Sequence, residues 1–542
     1  MELNSLDFIV IGIYALALAA IALFVSHEPD GKSKTTDDYF LASKALPWWA
    51  IGASLIAANI SAEQIIGQSG QGYAVGIAIA AYEWQAAIVL LVVAKYFLPI
   101  FLRRGIYTMP QFLDQRFGGG VKSLMSVYWI ALYTAVNLTT VLWLGGLAIG
   151  SVTGFAVFPA MAGLAVFAML YSLYGGLKAV AMTDIIQVVV LLLGGCAISW
   201  IVLDLVSGGN GAVAGFGRLF EEAPGHFEML LAPEHPAYND LPGIWTLLGG
   251  LWVLHFSYWG FNQYIIQRAL AAESLPEAQK GLVFAALLKL FVPVIVVIPG
   301  IAAIILAQQG VLNQAVLDPS ICQSATDSIS CGKPDRVYGE LMVLVPAGLR
   351  GLVFAALIAA IVSSLASMMN SISTIFTLDL YRSARPGRSE HHYVSVGRIS
   401  AFIAMVFALI LARPFIGGFE SGFQAVQEYT GFIAPGVVAI FLLGFFYSRS
   451  NVAGAYAVLV SSLAMSIVMK LLAGDLPFVI RIWAVFVVCL LIGVAASEIT
   501  RGKIARRDQY EELPGLSFKT STSFNLAAVV IFAIFVSIYV VF

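Results

Sequence analysis

Long runs of apolar residues, separated by short polar stretches, dominate the pattern along this chain. They show neither the period of two of a half-buried strand nor the single apolar stripe of a surface helix. A helix that is apolar all round needs apolar surroundings, and crossing a hydrocarbon core takes about 20 such residues. Candidate spans fall at 8–25, 47–66, 76–102, 124–149, 155–175, 183–205, 243–266, 280–307, 347–378, 397–415, 423–446, 453–472, 480–499 and 524–542. The pattern predicts an all-α integral membrane protein of about 14 transmembrane helices. Glu2 and Asp7, with no basic residue, precede the first span, which argues against a cleaved signal peptide.

Composition agrees. Of 542 residues 60% are hydrophobic and 11% charged, where soluble domains carry roughly 25% charged residues. No soluble domain remains between the spans, and a net charge of -2 points to no nucleic-acid partner. Alternate loops, beginning with 26–46 and 103–123 and ending with 500–523, hold about 20 Lys and Arg against about six in the other set. That bias predicts cytoplasmic loops for the first set and both termini outside. Loop 206–242 is acidic and amphipathic, which suits an interfacial helix. Cys322 and Cys331 share one polar loop, where they either pair or stay free thiols. Of the six histidines only His255 lies mid-span, and no H-E-x-x-H occurs, so an intramembrane hydrolase is not expected.

Ionisable groups inside spans are costly and usually functional. Glu63, Glu83, Lys95, Asp184, Lys289, Glu428 and Lys470 qualify. Lys95 and Lys470 read as snorkelling to an interface. Glu83 and Lys289 have apolar residues on both sides, so they either lock the bundle as an ion pair or also bond a hydroxylated ligand. Polar residues from Ser54 to Gln64, followed by Gly67, Gly70 and Gly72, predict a helix interrupted near Asn59 to Ser61. An unwound turn at membrane depth frees carbonyls that can coordinate a cation. Ser257 to Gln263 predicts a second interruption, five spans on, the spacing of two inverted five-helix repeats. Ser363, Ser364 and Ser367 either allow close helix packing or supply hydroxyls to a hard cation.

Four stretches resemble the sodium/solute symporter family, and its bacterial sugar-carrying members in particular. They are Asn59 to Gln64, Tyr171 to Leu177, Tyr258 to Tyr264 and Ser363 to Ser367, and the likeness runs over essentially the whole chain. The resemblance implies a LeuT-type fold in one transmembrane domain, 1–542: a ten-helix core at 47–446, one helix before it and three after. It implies a sodium site from the main chain of Ala57, Ile60 and Ala360 with the Ser363 and Ser364 hydroxyls, and sodium exit past Asp184. It implies sugar binding by Asn59, Ser61, Gln64, Glu83, Asn137, His255, Tyr258, Lys289 and Gln427. Gln68, Tyr82, Phe423, Tyr258 and Trp259 would act as gates. Galactose-carrying members would hold serine at Ala86, asparagine at His255 and methionine at Gln68, so the sugar stays open. Ala366 stands where relatives with a second sodium would hold serine, which implies one sodium per sugar. The expected function is secondary active, sodium-coupled hexose uptake by a monomer or weak oligomer in the lipid bilayer of a bacterial inner membrane. The alternative is the same fold carrying sialic acid, proline or inositol.

Overall fold

Every backbone N–H and C=O inside a bilayer must find a partner within the protein, which favours helices. In the computed structural model, residues 3–26, 45–312, 334–417, 419, 421–502 and 516–542 are described. Their regular structure is helical apart from one bridge, Leu46 to Ala272. Cys322 and Cys331 lie outside the described residues. Nine described helices are long and apolar enough to cross a membrane, or up to eleven when two bent pairs each count as one span. The chain is therefore a multi-pass membrane protein.

In order the main helices are α1 (Ser5–Ser26), α2 (Trp48–Asn59), α3 (Glu63–Ala74), α4 (Ile77–Arg103), α5 (Gly119–Thr153) and α6 (Val157–Val206). Next come α7 (residues 250–260), α8 (Gln263–Leu270), α9 (Leu275–Gln308), α10 (Leu349–Ala384) and α11 (Glu390–Ile416). The last are α12 (Gly422–Gly431), α13 (Ala434–Phe446), α14 (Val452–Leu472), α15 (Phe478–Ile499) and α16 (Thr522–Val541). A short helix, Ala212–Glu222, occupies the amphipathic loop.

The expected first interruption is present: α2 ends at Asn59, α3 starts at Glu63, and the two are bent by 62°. The freed Ser61 N–H donates to the Gln64 side chain (3.1 Å). That leaves the Ala57 carbonyl without its usual helical donor four residues on. The glycine run is not part of the break but a packing surface within α3. A Cβ on Gly70 would lie 2.4 Å from the Pro334 carbonyl oxygen, and one on Gly72 2.6 Å from that of Val297. Small residues allow such close approach between helices. At the second break, between α7 and α8, Tyr133 of α5 satisfies the chain. Its hydroxyl accepts from Gln263 N–H (2.9 Å) and donates to Asn262 Oδ1 (2.7 Å).

Three expectations need correction. The candidate span 423–446 is broken into α12 and α13, bent by 44°. Pro435 has no N–H for the Gly431 carbonyl, which removes one helical hydrogen bond at the bend. The loop expected at 176–182 is helical, and α6 runs for 50 residues, or about 75 Å. Its neighbours fix its direction: Ser172 donates to the Ala366 carbonyl, Ser363 donates to Asp184, and Gly194 packs on Val353 and Ala356. This part of α6 therefore runs antiparallel to α10. Lys470 does not simply snorkel, since its ammonium bonds Glu428 (2.5 Å), which also binds Arg481 (2.9 Å). This trio ties α12 to α14 and α15.

Candidate functional site: a polar cavity between the broken helices

Both first breaks face a central cavity of about 60 Å³, room for several waters by the usual measure. Asn59, Gln64, Glu83, Asn137, His255, Tyr258, Lys289 and Gln427 line it, as do the expected gate residues Gln68, Tyr82, Phe423 and Trp259. Ser61 does not. Its hydroxyl bonds Gln64 Oε1 (3.0 Å), so it orients a lining residue from behind.

The centre is a charged cluster. The Lys289 ammonium is bonded to Glu83 Oε2 and to Asn59 Oδ1, and Gln68 donates to the other Glu83 oxygen (2.7 Å). The Lys289 and Glu83 side chains are 1% and 2% exposed, so each charge depends on the other. Asn59 also donates to the Tyr258 hydroxyl (3.0 Å), and Lys289 lies 5.1 Å from the Trp259 ring centroid. On the opposite wall Tyr82 meets Phe423 edge to face at 5.1 Å.

Six buried atoms lining this cavity have no protein partner: Glu63 Oε1, Gln68 Oε1, Tyr82 OH, Asn137 Oδ1, His255 Nε2 and Thr430 Oγ1. An orphaned buried polar atom costs about 1–3 kcal/mol, so this concentration is the mark of a place built for a polar ligand. Glu63, Asn262 and Thr430 were not among the residues expected here, nor were the apolar Leu132, Leu254 and Val426. Thr430 had a signal: it lies three residues after Gln427, on the same helical face.

The residues expected to hold sodium lie below the first break, all buried. The Ser364 hydroxyl donates to the Ala58 carbonyl (3.0 Å), joining α10 to the end of α2. Ser363 donates to Asp184 Oδ1 (2.5 Å), and Ser54 donates to the other Asp184 oxygen. Asp184 does not reach the cavity. It pairs with Arg268 (3.2 Å), which also bonds Ser54 and Ser367 at 2.5 Å each. Arg268 was read as part of a loop beginning at 267, yet α8 runs to Leu270 and buries it to 1% exposure. The buried carboxylate of Asp184, with Ser54 and Ser367, explains its place, and sequence spacing does not reveal those partners.

Residues 39–461 match the sodium:solute symporter family. This chain belongs to that family. It is therefore a transporter that moves sodium with its solute, and not an enzyme. Among curated relatives, the sodium/glucose cotransporter of Vibrio parahaemolyticus is 46% identical over 100% of this chain and 98% of its own. The sodium/myo-inositol cotransporter 2 of Mus musculus is 34% identical over 87% of this chain and 71% of its own. A solved structure of a Na+-coupled sialic acid symporter, in a substrate-bound outward-open state, superposes with a TM-score of 0.76. It covers 93% of this chain and 99% of its own at 21% identity, which places this symporter in the LeuT-type fold.

Proposed function

We propose that this symporter couples inward sodium movement to uptake of a neutral hexose, galactose or glucose, by alternating access. The observation that carries the reading is the set of unpartnered donors and acceptors around a self-neutralised Lys289–Glu83 pair. Sugar hydroxyls each donate and accept, so they match such a mixture. Among the described residues Glu63, Glu83 and Lys289 line the cavity and no arginine does, which disfavours an anionic solute such as sialic acid. The sodium/glucose relative supports the same reading.

Sodium would bind the main chain of Ala57, Ile60 and Ala360 with the Ser363 and Ser364 hydroxyls, and leave by way of Asp184. The sugar would contact Asn59, Gln64, Glu83, Asn137, His255, Tyr258, Lys289 and Gln427. Tyr82 and Phe423 would close the outer side, and Tyr258 with Trp259 the inner. The core would comprise residues 47–446, with both termini outside a bacterial inner membrane. One sodium suffices: about 2.3 kcal/mol from 100 mV and about 1.4 from a tenfold gradient sustain a sugar ratio of several hundredfold.

The test is uptake of labelled galactose, glucose and myo-inositol into proteoliposomes under inward sodium or potassium gradients. Accumulation of a hexose with sodium alone is the expected result. Equal uptake with potassium, or entry of myo-inositol alone, would overturn the ion or the hexose assignment respectively.

A further inference from the structure

Away from the central cavity, a larger hollow of about 670 Å³ lies between the start of α9 and the start of α16. Its floor is apolar, with Val283, Phe284, Leu287 and Phe524, and Trp48 stands edge-on to Phe284 at 5.6 Å. Its rim is polar and basic, with Lys280, Lys519, Ser521 and Ser523. Leu287 starts a row that continues through Phe291 and Val294, on one face of α9, all three exposed at 41–43%. A row of that kind, running from a basic rim, suits an acyl chain below a charged head group.

The charges facing the hollow are unequal. Glu277 is engaged by Lys280 (3.0 Å) and by the Trp48 N–H (3.0 Å). Lys519 has no side-chain partner among the described residues. Lys95 flanks the same region, because its neighbour Ala94 accepts from Gln279 (3.1 Å) and its neighbour Tyr96 packs on Phe518 at 5.6 Å. The charged residues that line the hollow among the described residues, Lys280 and Lys519, are both basic. Ser521 and Ser523 share one hydrogen bond (3.0 Å), which leaves one hydroxyl proton for a ligand. Lys280 and Lys519 both belong to the Lys- and Arg-rich loop set and its flanks, which faces the cytoplasm by charge bias.

We propose that this hollow binds one anionic phospholipid of the cytoplasmic leaflet. Lys280 and Lys519 hold its phosphate, and Leu287, Phe291 and Val294 carry an acyl chain. Basic pockets between helices on that side of a membrane recognise such head groups. Free phosphate could use the rim but gains nothing from the floor. Trp48 opens α2, whose far end carries Asn59, so an occupant here also braces the broken helix.

Native mass spectrometry of the full-length protein tests this directly, with phosphatidylglycerol and phosphatidylcholine of identical chains. Phosphatidylglycerol adducts are expected to dominate, and each of Lys280→Gln and Lys519→Gln should weaken them about fivefold. Leu287→Trp, which fills the floor, should reduce adducts of both lipids. Equal retention of the two lipids, or no loss in the double lysine variant while its thermal unfolding matches wild type, would overturn the proposal. Displacement by millimolar inorganic phosphate would reassign the rim to a free anion. None of these readouts depends on which solute is carried.

Discussion

Replacing Lys289 by methionine removes the only cation bonded to Glu83 among the described residues. The carboxylate, 2% exposed, would keep a single donor, Gln68 at 2.7 Å. Breaking one side of a buried pair costs about 3–5 kcal/mol, while replacing both sides with neutral groups is often close to neutral. Lys289→Met should therefore lower the thermal unfolding temperature sharply, and Lys289→Met with Glu83→Gln should restore most of it. Transport should behave differently. A hydrogen bond to a charged group contributes about 1.5–3 kcal/mol, so losing the ammonium should cut kcat/KM for hexose roughly 10- to 150-fold. The double variant should stay impaired although it is stable. Thermal unfolding and sodium-driven uptake, measured on the same preparations, separate the two roles. If the double variant regains both stability and uptake, the pair is a lock for the bundle and does not touch the sugar. If Lys289→Met alone loses neither, the two groups are not a buried ionised pair.

Ser364→Ala should raise the sodium concentration for half-maximal uptake about tenfold, the worth of one lost oxygen ligand. Apparent sugar affinity should fall with it, because linkage is reciprocal, and an unchanged sodium dependence would remove Ser364 from the site. Gly67→Ala places a Cβ 2.6 Å from Phe423 Cβ, so uptake should drop at least several-fold, whereas Gly163→Ala, with nothing within 4 Å, should transport normally. Arg268→Ala should destabilise the protein by about 3–5 kcal/mol by orphaning Asp184, with much of the loss recovered in Arg268→Ala with Asp184→Ala. Equal stability of Arg268→Ala and wild type in thermal unfolding would refute that pairing.

How far the sequence carried depends on whether a feature is local. The break near Asn59 was legible because polar residues crowd mid-span there, and the break before Gln263 for the same reason. The break before α13 was as local, since Gly431 and Pro435 flank it, but an otherwise apolar run from 434 masks it. The loop expected at 176–182 rested on dividing the apolar stretch into two spans of about 20 residues, 155–175 and 183–205. Helical hydrogen bonding continues through that segment, and nothing in composition separates a helical link from a loop there. Glu83 and Lys289 stood out as charges in apolar runs, but their distance in sequence hid that Asn59 and Gln68 complete the cluster. Arg268 was missed because a basic residue at a span end ordinarily reads as cytoplasmic. Its burial depends on Asp184, Ser54 and Ser367, which lie on three other helices.

Residues 57–60, at the end of α2, offer a way to couple the proposed ion and sugar binding. A serine hydroxyl that coordinates a cation must turn its lone pairs to the ion and give its proton elsewhere. Here Ser363 gives its proton to Asp184, and Ser364 gives its own to the Ala58 carbonyl. Both hydroxyls are thereby oriented, with Asp184 held by Ser54 and Arg268. The proposed sodium position thus joins α10 to residues 57–60. Within that segment the Asn59 side chain points the other way, to Lys289 and Tyr258 in the cavity. An ion drawing the Ala57 and Ile60 carbonyls toward α10 would fix the backbone that carries Asn59, and with it one wall of the sugar site. The reverse follows from the same geometry, because a sugar that fixes Asn59 also fixes those carbonyls. Coupling then needs no signal passed between distant sites, only one short segment at the end of α2, its main chain offered to the proposed cation and its Asn59 side chain to the proposed sugar.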